Sequence, residues 1–104
     1  MEQRRIVVSM GGADGGEGFF VPNPKRGEQV ELVEDLAGAL RSCFELPCER
    51  LYVSLLSANP QELTSLALFR RMRPSQYVVL VVDESIQPLV QALGLGDEYV
   101  TFPA

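Results

Sequence analysis

The sequence predicts an α/β fold with a mostly parallel sheet and helices on both faces, a small flavodoxin-like three-layer sandwich. A two-layer open α/β sheet is the alternative. One observation dominates: Gln76-Tyr77-Val78-Val79-Leu80-Val81-Val82-Asp83 is an apolar, β-branched run without polar alternation. A strand with one wet face alternates, so this one is expected inside the sheet, covered on both sides. Two shorter runs repeat the pattern, Arg5-Ile6-Val7-Val8-Ser9-Met10 and Leu51-Tyr52-Val53-Ser54-Leu55-Leu56-Ser57. Helical patterns stand between them, giving the order βαβαβαβ, which argues for parallel strands joined by crossovers.

The first run ends at Gly11-Gly12-Ala13-Asp14-Gly15-Gly16-Glu17-Gly18, where five glycines in eight residues exclude a regular element. Phe19-Phe20-Val21-Pro22-Asn23-Pro24 continues the connection, with Pro22 and Pro24 restricting their predecessors to extended backbone. Residues 11–27 are therefore expected as one long Gly/Pro-rich loop, of a length usually tied to function or disorder. Residues 28–44 are expected as a one-sided helix, with Val33, Leu36, Ala37, Leu40 and Phe44 on its apolar side. Its acidic residues come early and Arg41 comes late, and Pro47 marks the exit. Asn59-Pro60-Gln61-Glu62 reads as a helix start: Asn59 as N-cap, Pro60 at the first position, Glu62 at the third. The helix it opens runs to about Met72, and its apolar residues spread almost round the wheel. Ser85 is expected to cap a short helix over residues 86–93, and Gly94 to end it in the left-handed conformation. Residues 98–102 make a last edge strand.

The 104 residues amount to one α/β domain, long enough to hide roughly 60 to 70% of the unfolded surface. No stretch approaches the length of a membrane span, and Met1-Glu2-Gln3-Arg4-Arg5 opens no secretory signal. The expectation is a cytoplasmic protein with no membrane contact. Nine basic against fourteen acidic residues leave a net charge of −5, which disfavours a nucleic-acid partner. The basic group Arg70, Arg71 and Arg73 suits the carboxyl end of its helix. Two cysteines and no histidine exclude a structural zinc site and histidine-dependent triads. Cys43 and Cys48 read as two free thiols, with a redox pair as the alternative reading and no evident means of lowering a thiol pKa.

Ligands of parallel sheets gather outside the carboxyl ends of the strands. Ser9, Gly11, Gly12, Asp14, Ser57, Asn59, Asp83 and Ser85 fall there and form the candidate ligand site. The competing reading makes Asn59 and Ser85 helix caps and the aspartates turn starters. The glycine loop matches neither the dinucleotide fingerprint nor the P-loop. Asp14, Glu17, Asp83 and Glu84 oppose a phosphate and suit a divalent cation better, but their spacing assigns no metal ligand. A receiver-domain reading fails because Ser9-Met10 stands where an acidic pair is required.

The segment from Glu31 to Ser57, with Leu46-Pro47-Cys48-Glu49-Arg50-Leu51-Tyr52-Val53 as its step from helix to strand, resembles the β-α-β unit of the tautomerase superfamily. In that family an N-terminal proline is catalytic. Met1-Glu2 stands here, and the elements after Asn59 depart from the family, so the resemblance carries over no catalytic residue.

No catalytic residue and no cofactor is assigned. The leading expectation is a non-catalytic module that works by protein contact, as a homo-oligomer or an accessory subunit, through Leu68, Phe69 and Met72. The alternative is a small-molecule or metal-ion binding protein or enzyme using the strand ends and the glycine loop.

Overall fold

A computed structural model describes residues 4–9, 23, 25–55 and 59–101. Five parallel strands and three helices follow one another as β1 (Arg4–Ser9), β2 (Glu28–Val33), α1 (Leu36–Glu45), β3 (Arg50–Leu55), α2 (Pro60–Met72), β4 (Val78–Val82), α3 (Gln87–Leu93) and β5 (Glu98–Thr101). The strand order is β2-β1-β3-β4-β5, that of flavodoxin-like doubly wound sheets. β4 is buried along its whole length and pairs in parallel with β3 and β5, as its unbroken apolar run requires. Each of its Val and Leu side chains contributes about 1.5–3 kcal/mol by leaving water.

Alternation along the strands sorts the sheet into two faces. Val7, Leu51, Val53, Leu55, Val78, Leu80 and Val82 meet Leu36, Ala39, Leu40 and Cys43 of α1, Leu66 and Phe69 of α2, and Val90 of α3. Ile6, Val8, Tyr52, Val79 and Val81 form the second cluster with Val30 and Val100. The three helices thus share one face, and among the described residues no helix packs on the other. The steps β2 to β3, β3 to β4 and β4 to β5 run the same way across the sheet, so crossovers of one hand lie on one side. Only β1 to β2 steps the opposite way. Residues 10–22 and 24 of that connection, including most of the expected 11–27 loop, lie outside the described residues.

The expected helix over residues 28–44 is corrected. Its first third is β2, and the helix begins only at Leu36. Glu28-Gln29-Val30-Glu31-Leu32-Val33 fits a helical wheel, but it also satisfies the period of two of an edge strand. Pairing with β1 from Arg4↔Glu28 to Ser9↔Val33 decides between them. Two ion pairs fasten the edge strand: Arg50 to Glu28 at 2.9 Å, with the Glu28 side chain nearly buried, and Arg5 to Glu31 at 2.9 Å. Asp35 then caps α1 by accepting from the Gly38 N–H. With this later start, α1 carries no acidic residue in its first turn and no basic residue in its last.

The other boundaries follow local chemistry. Asn59 Oδ1 accepts from the N–H groups of Gln61 and Glu62, and Pro60 opens α2. Gly94 takes φ 65°, the left-handed region that suits glycine, and the Leu95 N–H returns to the Val90 carbonyl. Ile86, not Ser85, occupies the N-cap position of α3, and no side chain caps it. No helix among the described residues is long and apolar enough to cross a membrane.

Candidate functional site

Among the predicted ligand-site residues, Gly11, Gly12, Asp14 and Ser57 lie outside the described residues. Ser9, Asn59, Asp83 and Ser85 are described. Asn59 spends its side-chain oxygen on the start of α2. Asp83 Oδ1 accepts from the backbone N–H of Ser85 at 2.9 Å and from its hydroxyl at 2.7 Å, closing a turn after β4. These two bonds, the backbone one first, hold the Asp83 carboxyl below the usual carboxylate range. Both residues therefore serve the local backbone. Ser9 differs: its hydroxyl is fully buried at the end of β1, and among the described residues it has no hydrogen-bond partner. It ends β1 beside the switch point of the sheet, which lies between β1 and β3. Among the described residues no group of three or more acidic, cysteine or histidine side chains is placed to hold a metal ion.

The predicted contact residues divide. Phe69 is 4% exposed and belongs to the core between α2 and the sheet, which corrects its place in an interface. Leu68 and Met72, 56% and 50% exposed, stand on the outer side of α2. On α3, Leu89 and Leu93 repeat the arrangement at 44% and 53%. Of the basic group beside them, Arg71 is exposed and Arg70 and Arg73 are engaged. Arg70 makes a paired contact with Asp97 at 3.1 and 3.2 Å. Arg73 donates twice to the Phe44 carbonyl at the end of α1 and lies 4.2 Å over the Phe44 ring. These contacts tie α2 to its neighbours.

A cleft of about 890 Å³ lies at the opposite, amino edge of the sheet. It is lined by Arg4 and Arg5 of β1, Glu31 of β2, and Leu46, Cys48 and Glu49 of the turn between α1 and β3. Arg5 organises one wall. Its guanidinium donates to Glu31, to the Leu46 carbonyl at 2.7 Å and to the Ser42 hydroxyl, fastening the carboxyl end of α1. Gln76 organises the other. This buried amide accepts from the Cys48 N–H at 3.1 Å and donates to the Cys48 and Tyr77 carbonyls, both at 3.0 Å. A side chain thereby does for the Cys48 peptide what a neighbouring strand would otherwise do.

Cys43 and Cys48 meet in this wall, with their sulfurs 3.2 Å apart. Cys43 is fully buried on α1, while Cys48 is half-buried and lines the cleft. The hydrogen bond between the two thiols lowers the Cys48 pKa, aided by the Arg5 charge, the Val7 backbone and Gln76, against the opposing effect of burial, and the Cys48 thiol also donates to the Arg50 carbonyl at 3.3 Å. The same hydrogen bond and burial push the Cys43 thiol up. Of the two, Cys48 faces the cleft with its pKa lowered, and Cys43 lies behind it with its pKa raised.

Comparison with protein-family models finds no match, and comparison with curated proteins finds no relative. The site has to be read from its own chemistry.

Sequence reasoning did not place Arg5, Gln76 and the two thiols together. The available signal was weak. Two cysteines five apart bracket a helix exit at Leu46-Pro47, and a turn there folds the second back against the last turn of the helix. Nothing in the pattern near Gln76 marks it as a partner of residues 28 positions away.

Proposed function

We propose that this chain works by protein contact through the outer faces of α2 and α3. One observation carries the reading: two helices on the same face of the sheet each present an i, i+4 pair of large apolar side chains to solvent. The pairs are Leu68 with Met72 and Leu89 with Leu93. The inner faces of both helices are already occupied, by Leu66 and Phe69 on α2 and by Val90 on α3. The outward pairs therefore contribute nothing to the core of a single chain. Covering them with a second copy of this chain, or with another apolar protein surface, removes that area from water at about 25 cal/mol per Å². Arg70 on α2 and Arg73 at its C-cap fit this reading, since their contacts hold the helix against its neighbours.

Light scattering over a dilution series, with the purified protein also used as bait, tests the proposal. The double variant Leu68→Glu/Met72→Glu and the variant Leu93→Glu are expected to lower the assembled mass or release the captured protein. A wild-type monomer at every concentration, capturing nothing that the variants lose, rejects it.

A ligand site at the carboxyl edge is the second reading, favoured by the buried Ser9 hydroxyl at the switch point, which has no partner among the described residues. Thermal-shift measurements with nucleotides, divalent cations and small acids test it. Stabilisation by one of them that Ser9→Ala abolishes supports an edge site, and no stabilisation by any of them rejects it.

A further inference from the structure

The geometry points to Cys43 and Cys48 as a thiol–disulfide exchange site that takes a low-molecular-weight disulfide in the cleft beside Arg4 and Arg5. This is independent of the helix surfaces, which lie on α2 and α3. Three features carry it. The two sulfurs are already in contact at 3.2 Å, so closing a bond of about 2.05 Å is within reach of side-chain torsions. Only Cys48 faces the cleft, and Cys43 sits fully buried directly behind it. The cleft, at about 890 Å³, has the size of small-molecule sites, and Gln76 fixes the Cys48 backbone within it.

The roles follow from position. The Cys48 thiolate attacks one sulfur of the external disulfide, and half of that molecule leaves as a thiolate. Cys48 is then joined to the other half in a mixed disulfide. The released thiolate takes the Cys43 proton, and the Cys43 sulfur attacks Cys48 Sγ, expelling the second half. The two protein thiols lose two electrons and two protons, and the external disulfide gains both as two free thiols. The charged groups around the attacking sulfur are Arg5, which favours the thiolate, and Glu31, which raises the neighbouring Cys43. Arg4 on the rim offers a cation to a carboxylate-bearing disulfide, while Arg5 is spent on Glu31, Leu46 and Ser42, and Glu31 and Glu49 limit how many anionic groups the cleft accommodates.

Glutathione disulfide is the probe. Wild-type protein incubated with it is expected to lose both free thiols and two hydrogens of mass, without a lasting adduct. Cys43→Ser is expected to accumulate one glutathione on Cys48, while Cys48→Ser accumulates none. Wild-type protein also permits a test without substitution: peptide mapping after brief iodoacetamide treatment near neutral pH is expected to show Cys48 alkylated about tenfold faster than Cys43, or more. Two thiols that persist in a large excess of glutathione disulfide overturn the proposal. So does a stable adduct on wild-type Cys48 that Cys43 never resolves, or equal alkylation of the two cysteines in folded protein.

Discussion

Replacing Gln76 by Ala removes three hydrogen bonds at once, and the structure says which losses matter. The Tyr77 carbonyl keeps a second donor, the Leu51 N–H at 2.9 Å, and should be indifferent. The Cys48 N–H and carbonyl are paired with Gln76 and would each be left without that partner in the wall of the core. An unsatisfied buried backbone group costs about 1–3 kcal/mol, so the two together cost about 2–6 kcal/mol. Against a total stability of about 5–15 kcal/mol for a domain, that is a large fraction. Urea unfolding followed by circular dichroism measures it. The midpoint should fall while the slope stays the same, because the surface exposed on unfolding barely changes. Gln76→Glu provides the control for donor against shape. It preserves the volume and the acceptor for the Cys48 N–H but turns a carboxylate toward two carbonyls, so at neutral pH it should be no more stable than the alanine variant. A loss below about 1 kcal/mol for Gln76→Ala would refute the role given to this amide, since water would then be replacing it without penalty.

Other expectations concern single positions. At Gly96 an added Cβ would come within 2.8 Å of Leu80 Cγ, a fully buried side chain, whereas at Gly94 the space is open and only the positive φ opposes it. Gly94→Ala should therefore cost about 1–2 kcal/mol by backbone strain, and Gly96→Ala about 1–3 kcal/mol by overpacking, with the two separated by double-mutant cycles with Leu80→Ala, which removes the clashing γ carbon and relieves only the second. Asp97 accepts from Arg70 and from the Val78 N–H, and these bonds, the Arg70 one first, hold its carboxyl below the usual range against the opposing effect of burial. Its folded pKa lies under the unfolded one, so its contribution is complete above about pH 4 and is lost as pH falls through the folded value. Urea midpoints measured from pH 7 downward should fall less steeply at the acid end for Asp97→Asn than for wild type, and parallel curves would contradict the assignment. Ser9→Ala should leave stability unchanged or raise it, because a buried hydroxyl with no partner among the described residues carries a desolvation cost; a loss of more than about 1 kcal/mol in thermal unfolding would show that the hydroxyl is bonded.

The parts of the fold that were legible in the sequence are those in which local chemistry and tertiary demand agree. β4 was readable because a run of Val and Leu with no polar break has no stable place except inside a sheet. The start of α2 was readable because Asn59 and Pro60 satisfy orphan groups within four residues of themselves. β2 was not, because Glu28 to Val33 fit two periods, and the deciding bonds come from a strand more than twenty residues earlier. For the same reason Phe69 could not be separated from Leu68 and Met72: a wheel with apolar residues almost all round does not say which side meets the sheet. The thiol cleft escaped because its defining contacts join Arg5 to Leu46 and Cys48 to Gln76, pairs 41 and 28 positions apart.

By itself the sequence determined that the chain is an α/β domain with interior parallel strands, where α2 begins and where α3 stops, and that histidine-dependent chemistry is excluded. Each of these rests on forces acting within a few residues, or on composition. Tertiary structure alone decided the strand order, the shared face of the three helices, and the meeting of Cys43 and Cys48 under Arg5. Hydrogen bonds and desolvation depend on distance in space, and chain order carries that distance only across a few turns.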